Sequence, residues 1–384
     1  MKRSLQSGLV LIFLLLMFTG EEAEAGPARV FADQGAGGTH TLMLYSNGTV
    51  WAMGTNNFGQ LGDGSTSNRI YPTQVRSLSS IIAVSSGTNF SLALRSDGTV
   101  WGWGDNSSGQ LGDGTRTKRL TPVQVKGITQ VIAISSGTSQ SLALRRDGTV
   151  WAWGGNSSGE LGDGTGLMQL SPVKVSGLSG VKLISCGNYH GTAVKNDGTV
   201  WAWGSNIFGQ LGDGTTMKSL VPKKVNGLSQ IKAVSSGIGH TLALRSDGIV
   251  MAWGDNSAGE LGDGTTVKRR TVVQVRGLTQ VKAIGAGGYG SHALKSDGTL
   301  WSWGNNGSGQ LGLGAQAAAE IMLPRQIGSG FMAISVETNH AFGLAQDHKV
   351  WGWGKNEFGQ LGDGTYQYNY KPEVIRTLPP IQYP

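Results

Sequence analysis

A single cysteine, Cys186, among 384 residues excludes an intramolecular disulfide. It stands where other copies of a repeated unit carry Ser86, Ser136 and Ser236, with no base beside it in the sequence. A buried, inert thiol is therefore expected rather than a nucleophile. Long apolar runs are as scarce. Residues 9–18 form the one notable stretch; at about ten residues it is too short to cross a bilayer as a helix, so no membrane span is expected once a signal is removed. No Ser-His-Asp order, Walker loop or dinucleotide fingerprint stands out, and an enzyme would have to be built on departures from the repeat. No catalytic residue, no cofactor and no nucleic-acid partner is expected.

What the chain has in abundance is repetition. Seven times, fifty residues apart, it writes a turn, a Trp-rich strand and an Asn-x-x-Gly-Gln/Glu-Leu-Gly loop, over 49–64, 99–114, 149–164, 199–214, 249–264, 299–314 and 349–364. All twelve tryptophans fall in two columns. The first reads Trp51, Trp101, Trp151, Trp201, Met251, Trp301, Trp351; the second Met53, Trp103, Trp153, Trp203, Trp253, Trp303, Trp353. A period of this length with strand-like text means a propeller or a solenoid.

Each unit reads as four short β-branched or aromatic strands, such as 122–126, 131–136, 141–145 and 149–154, punctuated by Gly, Pro or Asp-Gly. Asp147-Gly148 marks a hairpin. Alternation puts Trp151 and Trp153 on one side and Val150, Ala152 and Gly154 on the other. This suggests one face of large residues meeting one of small residues between stacked blades. Residues 30–37 match the second strand of a unit and 371–376 the first. The expected fold is all-β: a seven-bladed β-propeller of four-stranded blades, closed by pairing the N- and C-terminal strands in one blade.

Residues 1–25 have the parts of a secretory signal: basic Lys2 and Arg3, the apolar run, and Ala23-Glu24-Ala25 before Gly26. A secreted or periplasmic protein of 26–384 is expected. Its cleavage would take the formal charge from +7 to +8, with 29 basic against 21 acidic residues left. That balance favours anionic partners or surfaces. Arg116, Lys118, Arg119, Lys218, Lys268, Arg269 and Arg270 follow the Gly-Asp-Gly loops and would form a basic rim, suited either to solubility or to an anionic polymer.

The loop Asn of each copy, from Asn56 to Asn356, suits an Asx turn. Asp105-Asn106-Ser107-Ser108-Gly109 resembles part of a calcium loop, but the residues equivalent to Asp105 are Thr55, Gly155, Ser205, Asp255, Asn305 and Lys355. No terminal Glu follows, and no metal is expected. His40, His190, His240 and His340 share a slot with Phe90, Gln140 and Gly290. Spread once per blade, they do not converge, and structural hydrogen bonding is expected of them.

Function must lie where the copies differ. The sixth replaces Asp-Gly by Leu313-Gly314, continues through 315–320 and sets its proline late, at Pro324; decay and a specialised contact loop both fit. A second variable place follows the strand end: Gly38-Thr39, Thr88-Asn89, Thr138-Ser139, Asn188-Tyr189, Ile238-Gly239, Gly288-Tyr289 and Thr338-Asn339. These loops would share one face, and tyrosine anchors interfaces. Candidate partner-binding residues are Phe90, Asn188, Tyr189, Tyr289 and Asn339.

Gly237-Ile238-Gly239-His240-Thr241-Leu242-Ala243-Leu244, followed by Asp247-Gly248 and Trp253-Gly254-Asp255-Asn256, resembles the repeat of the regulator of chromosome condensation family. The resemblance covers residues 26–384 and implies the propeller; its members do unrelated things on this scaffold. The founding member is a guanine nucleotide exchange factor for a nuclear GTPase and uses an insertion for which the even spacing of the first five copies leaves no room. The family's plant photoreceptor uses Trp in loops where this chain has none. Secreted bacterial relatives that resemble inhibitors of β-lactamase grip their target with aromatics after the strand-end Gly, where Tyr189, Tyr289 and Phe90 match. The expected role is a non-catalytic scaffold for a macromolecular, chiefly protein, partner. A nucleotide exchange factor and an anionic polysaccharide-binding module are the alternatives.

Overall fold

The computed structural model describes residues 38–377 and the short strand Phe31–Ala32. The expected signal, 1–25, and most of 30–37 lie outside the described residues. The strands form seven antiparallel sheets, each a meander of consecutive strands. One blade comprises Ile81–Ser86, Phe90–Arg95, Val100–Gly104 and Arg119–Gln124 from centre to rim. The first sheet departs from this pattern, with three full strands and only Phe31–Ala32 at the inner position.

The blade boundary differs from the sequence reading by one strand. The segment around 122–126 does not open a blade with 131–136; Arg119–Gln124 pairs with Val100–Gly104 and closes the preceding one. The Asn loop folds this strand back as an antiparallel neighbour, and 125–130 then returns the chain to the centre. The ends follow the same rule. Asn369–Val374 pairs with Val350–Gly354, whereas Phe31–Ala32 pairs with His40–Leu44, so the terminal strands complete two different blades instead of sharing one. The seventh and first blades meet face to face. Met43, Tyr45 and Met53 pack with Phe342, Leu344, Leu361 and Ile375, and Gly364 N–H donates to the Ile70 carbonyl at 3.1 Å.

Period-two alternation places the faces as expected, but each face mixes large and small residues. Leu42 and Leu44 lie opposite Ala52 and Val50; on the facing side of the next blade Ser91 and Ala93 lie opposite Trp103 and Trp101. The small residues of one strand thus make room for the large residues of its neighbour. These faces join in one core cluster per blade junction, such as Leu42, Leu44, Ala52, Val75, Leu78, Ala93 and Trp103.

The loop is a hydrogen-bonded cage around its Asn. Asn106 Oδ1 accepts Leu111 N–H at 3.0 Å, and Nδ2 donates to Asp113 Oδ1 and to the Thr115 and Thr117 carbonyls. Arg119 clamps Asp113 from the other side at 2.6 Å. Burial alone would raise the Asp113 carboxyl, but hydrogen bonds from Thr115 and Arg119 outweigh it and hold it below its ordinary value. In the sixth copy Leu313 replaces the Asp, and Asn306 keeps a longer bond of 3.3 Å to Leu311 N–H. Asn106→Ala should therefore cost about 3 kcal/mol, because it leaves a buried N–H and carbonyls unpaired, and Asn306→Ala distinctly less. Urea midpoints of the two variants check this; equal losses would contradict the cage.

Candidate binding face

The loops between first and second strands ring one mouth of the central channel. They are tied to each other through backbone: Thr138 N–H to the Asn188 carbonyl, Asn188 N–H to Gly237, Ile238 N–H to Gly288 and Gly288 N–H to Thr338, at 3.1–3.4 Å. Glycine is required here. A Cβ at Gly237 would lie 2.3 Å from the Gly287 carbonyl, and one at Gly187 2.6 Å from that of Gly237. The collar is rigid backbone that presents the variable pair of each copy, a good support for contact residues.

Tyr189 and Tyr289 stand out from this collar, 45% and 41% exposed. Asn188 and Asn339 are half-buried beside them in sequence and slot. Phe90 does not belong to this surface. It is 0% exposed and begins the second strand of its blade; its ring lies against Gly87, where an added Cβ would overlap it. The strand-end loop turns the slot after the variable pair into the core, which corrects its assignment as a contact residue. The sequence reading missed Ile207, 69% exposed, and Phe208, whose ring lies over Gly239 and under Lys268 Nζ at 4.3 Å. The signal was available. In the Asn-x-x-Gly loops, position 207 is occupied elsewhere by Asn57, Ser107, Ser157, Ser257, Gly307 and Glu357.

The basic rim is only partly free charge. Arg119 and Arg269 are held by Asp113 and Asp263 at 2.6 and 2.7 Å, as Arg69 is by Asp63. Lys268 pairs with Asp255 at 3.4 Å. Arg116 donates to the Ser107 carbonyl, and Lys218 to that of Ser157 in the preceding blade. Lys118 and Arg270 are exposed. These cations mainly fasten loops, which weakens their use as an anion site.

The slot histidines are junction clasps. His40 Nε2 lies 2.9 Å from Ser91 Oγ of the next blade, and that hydroxyl donates to the Gln60 carbonyl. With its one proton committed, Ser91 must accept from His40 Nε2–H. His240 with Ser291 and Glu260, and His340 with Thr41 and Gln360, repeat the arrangement, and His190 Nε2 meets Thr241 at 3.1 Å. Burial lowers His40, His190 and His340 to about 3, and His240 to about 4, so all are neutral. Glu260 is buried in the Gln slot and pushed up to about 7 by burial; its Oε2 accepts Ala258 N–H, a structural use. Cys186 is free and buried, and burial pushes its thiol well up. Among the described residues no group of His, Cys, Asp and Glu is placed to hold a metal ion, and no helix is long and apolar enough to cross a membrane.

A rigid ring of seven meandering blades, with its four slot histidines spent on junctions and its variable residues on a collar, defines a β-propeller of the kind that generally serves as a protein-binding scaffold. The chain belongs to the regulator of chromosome condensation family: the RCC1-like domain matches residues 22–336, and a regulator of chromosome condensation repeat matches 347–383. Among solved structures, human WBSCR16 is 23% identical with a TM-score of 0.73, over 85% of this chain and 93% of that one. Prp20p of Saccharomyces cerevisiae, described with its binding properties to Gsp1p and histones, is 24% identical with a TM-score of 0.73, over 92% and 87%. Yeast RCC1 (Prp20) bound by Kap60 gives 22% and 0.74, over 95% and 90%. At these identities the likeness is one of fold.

Proposed function

We propose that this propeller is a non-catalytic scaffold, secreted or periplasmic, that binds a protein partner through the collar face of its fourth to sixth blades. The observation that carries the reading is the exposure of Tyr189, Tyr289 and Ile207 on loops whose counterparts in other blades are small or polar. Large apolar side chains held out on rigid backbone lose little entropy on binding and are the usual anchors of protein interfaces. Family membership supports a protein partner, since the yeast relative is described as binding Gsp1p and histones. The secretory destination rests on Lys2, Arg3, the apolar run and Ala23-Glu24-Ala25.

The test is capture. Immobilised protein of residues 26–384 should retain a partner from the envelope or secreted fraction of the producing cells in moderate salt. Tyr189→Ala with Tyr289→Ala should weaken that retention by about thirtyfold or more, the loss expected of a truncated interface anchor, with an unchanged melting temperature. Retention equal to wild type places the interface elsewhere. Retention only of salt-labile polymer would favour the exposed cations Lys118 and Arg270, and accelerated nucleotide release from a GTPase would favour an exchange factor.

A further inference from the structure

A cleft of about 720 Å³ opens along the outer flank of the ring between the sixth and seventh blades. Its origin lies in the chain's own length. After the outer strand of a blade, the linker to the next inner strand carries a Val and, three residues on, a Leu or Ile: Val75 with Leu78, Val125 with Ile128, Val175 with Leu178, Val225 with Leu228, Val275 with Leu278. The second of each pair is a buried plug within the junction's core cluster. In the sixth blade Gln326 opposes Trp301 as Gln124 opposes Trp101, and a register shift then sets Gly328 opposite Leu300; Ile327, at that shift, packs at the junction as Val125 does. From Val125 to Val131 is six residues, but from Ile327 to Phe331 only four. The segment Gly328-Ser329-Gly330 has no residue in the place of the plug.

The rest of the plug's surroundings is still there. Ile327, Phe331 and Trp351, the counterparts of Val125, Val131 and Trp151 around Ile128, line the cleft. Phe331 takes only part of the space, since the cleft stays open beside it. Its ring spans from Gly343, where a Cβ would lie 2.5 Å from it and where other blades carry Ala93, Ala143, Ala193, Ala243 and Ala293, to Gly328, where one would lie 2.9 Å from it. One polar group is also left over. Trp51, Trp101, Trp151, Trp201 and Trp301 donate Nε1–H to a Thr hydroxyl at 3.0–3.3 Å. Lys349 replaces that Thr in the seventh blade, and Trp351 Nε1 is buried with no partner among the described residues. Asp347 and Lys371 stand at the edge.

We infer that this junction is a peptide-binding site, which takes the leucine or isoleucine side chain of a partner's peptide segment where every neighbouring junction from the first to the fifth takes its own. The occupant's chemistry is set by those five junctions: an aliphatic side chain against Trp351 and Phe331. The site lies away from the collar, and the inference does not depend on Tyr189 or Tyr289.

The probe is the capped pentapeptide Val-Arg-Gly-Leu-Thr, the sequence of residues 275–279, titrated into the ¹⁵N-labelled protein while indole N–H resonances are followed. Trp351→Phe identifies the Trp351 signal. A saturable shift of that resonance is expected, with affinity reduced about tenfold or more when the peptide's Leu is Ala, the share of a buried aliphatic side chain. Replacing 327–330 by the six residues of 275–280 restores the plug; it should raise the melting temperature and remove the response. Ser329→Leu provides the same comparison should the longer replacement not fold. An unshifted Trp351 indole up to the solubility limit of the peptide, equal affinities of the Leu and Ala peptides, or a response that survives the restored plug would each overturn the inference.

Discussion

Acidification from pH 7 to pH 5 should remove about 7 kcal/mol of folding stability, enough to unfold a domain whose total is about 5–15 kcal/mol. Five buried histidines drive this. His40, His190 and His340 are lowered to about 3, and His240 and His292 to about 4, chiefly by burial, against 6.5 in the unfolded chain. Below pH 6.5 the unfolded chain takes up protons that the folded ring refuses, so stability falls with pH. At pH 5 each histidine costs about 2 kcal/mol, or about 10 kcal/mol together. Glu260 opposes them. Its folded carboxyl, raised to about 7 against 4.5 unfolded, costs stability at neutral pH and returns about 2 kcal/mol on protonation; Glu160, also raised by burial, acts in the same direction. Asp63, Asp113, Asp213 and Asp263 are held below 3.8. Their stabilisation is complete above that value and is lost only at lower pH, outside this window.

Denaturant midpoints at pH 7.5, 6 and 5 measure the slope, and His240→Gln identifies its source. Gln140 already fills the slot in the third blade and donates to the Gly187 and Asn188 carbonyls at 2.9 Å, so the substitution has a native precedent. It should reduce the slope between pH 5 and 6 by about 1 kcal/mol per pH unit, most of one proton's worth. A slope unchanged by the substitution would mean that His240 is protonated in the folded ring, contrary to its donating Nε2–H and bare Nδ1.

The repeat made the blades legible because each strand carries its own periodicity and each turn its own Asp-Gly. The column of histidines could be read as structural because residues spaced once per blade cannot meet. What the sequence could not tell is which neighbour a strand prefers. Arg119–Gln124 stands between two candidate partners in the chain, and only the cage around Asn106 decides that it folds back on Val100–Gly104. The closure by a shared blade failed for that reason. Phe90 was misplaced because a one-residue step at a strand end exchanges collar for core, and alternation does not fix where a loop stops and the strand begins. Leu313 and the late Pro324 were visible as departures, but the missing plug is a deletion inside a linker, apparent only once the junctions can be laid over one another.

Trp153→Ala should cost about 4 kcal/mol and Trp151→Ala about half of that or less, although the two stand two residues apart on the same face of one strand. Trp153 is fully buried in the cluster of the preceding blade with Leu92, Val100, Leu111 and Val125. The loop of that blade lies flat against it: a Cβ at Gly112 would come within 2.8 Å of its Nε1. The loop backbone is held beside the space by the Leu111 N–H bond to Asn106 Oδ1 and the Lys126 N–H bond to the Gly112 carbonyl, both at 3.0 Å, so the cavity closes only in part. The lost hydrogen bond adds little. The Gln110 carbonyl that accepts Trp153 Nε1–H at 2.8 Å also accepts Ser141 Oγ–H at 2.8 Å, so it keeps a partner and the cavity dominates. Trp151 is half-buried, bonded to Thr149 and covered by Arg145 at 5.9 Å, and water can take much of its place. Urea midpoints of the two variants decide the matter. Equal losses would mean that the junction collapses around the cavity, in which case the ring is held by its backbone clasps rather than by the indole that each blade after the first sends into the one before it.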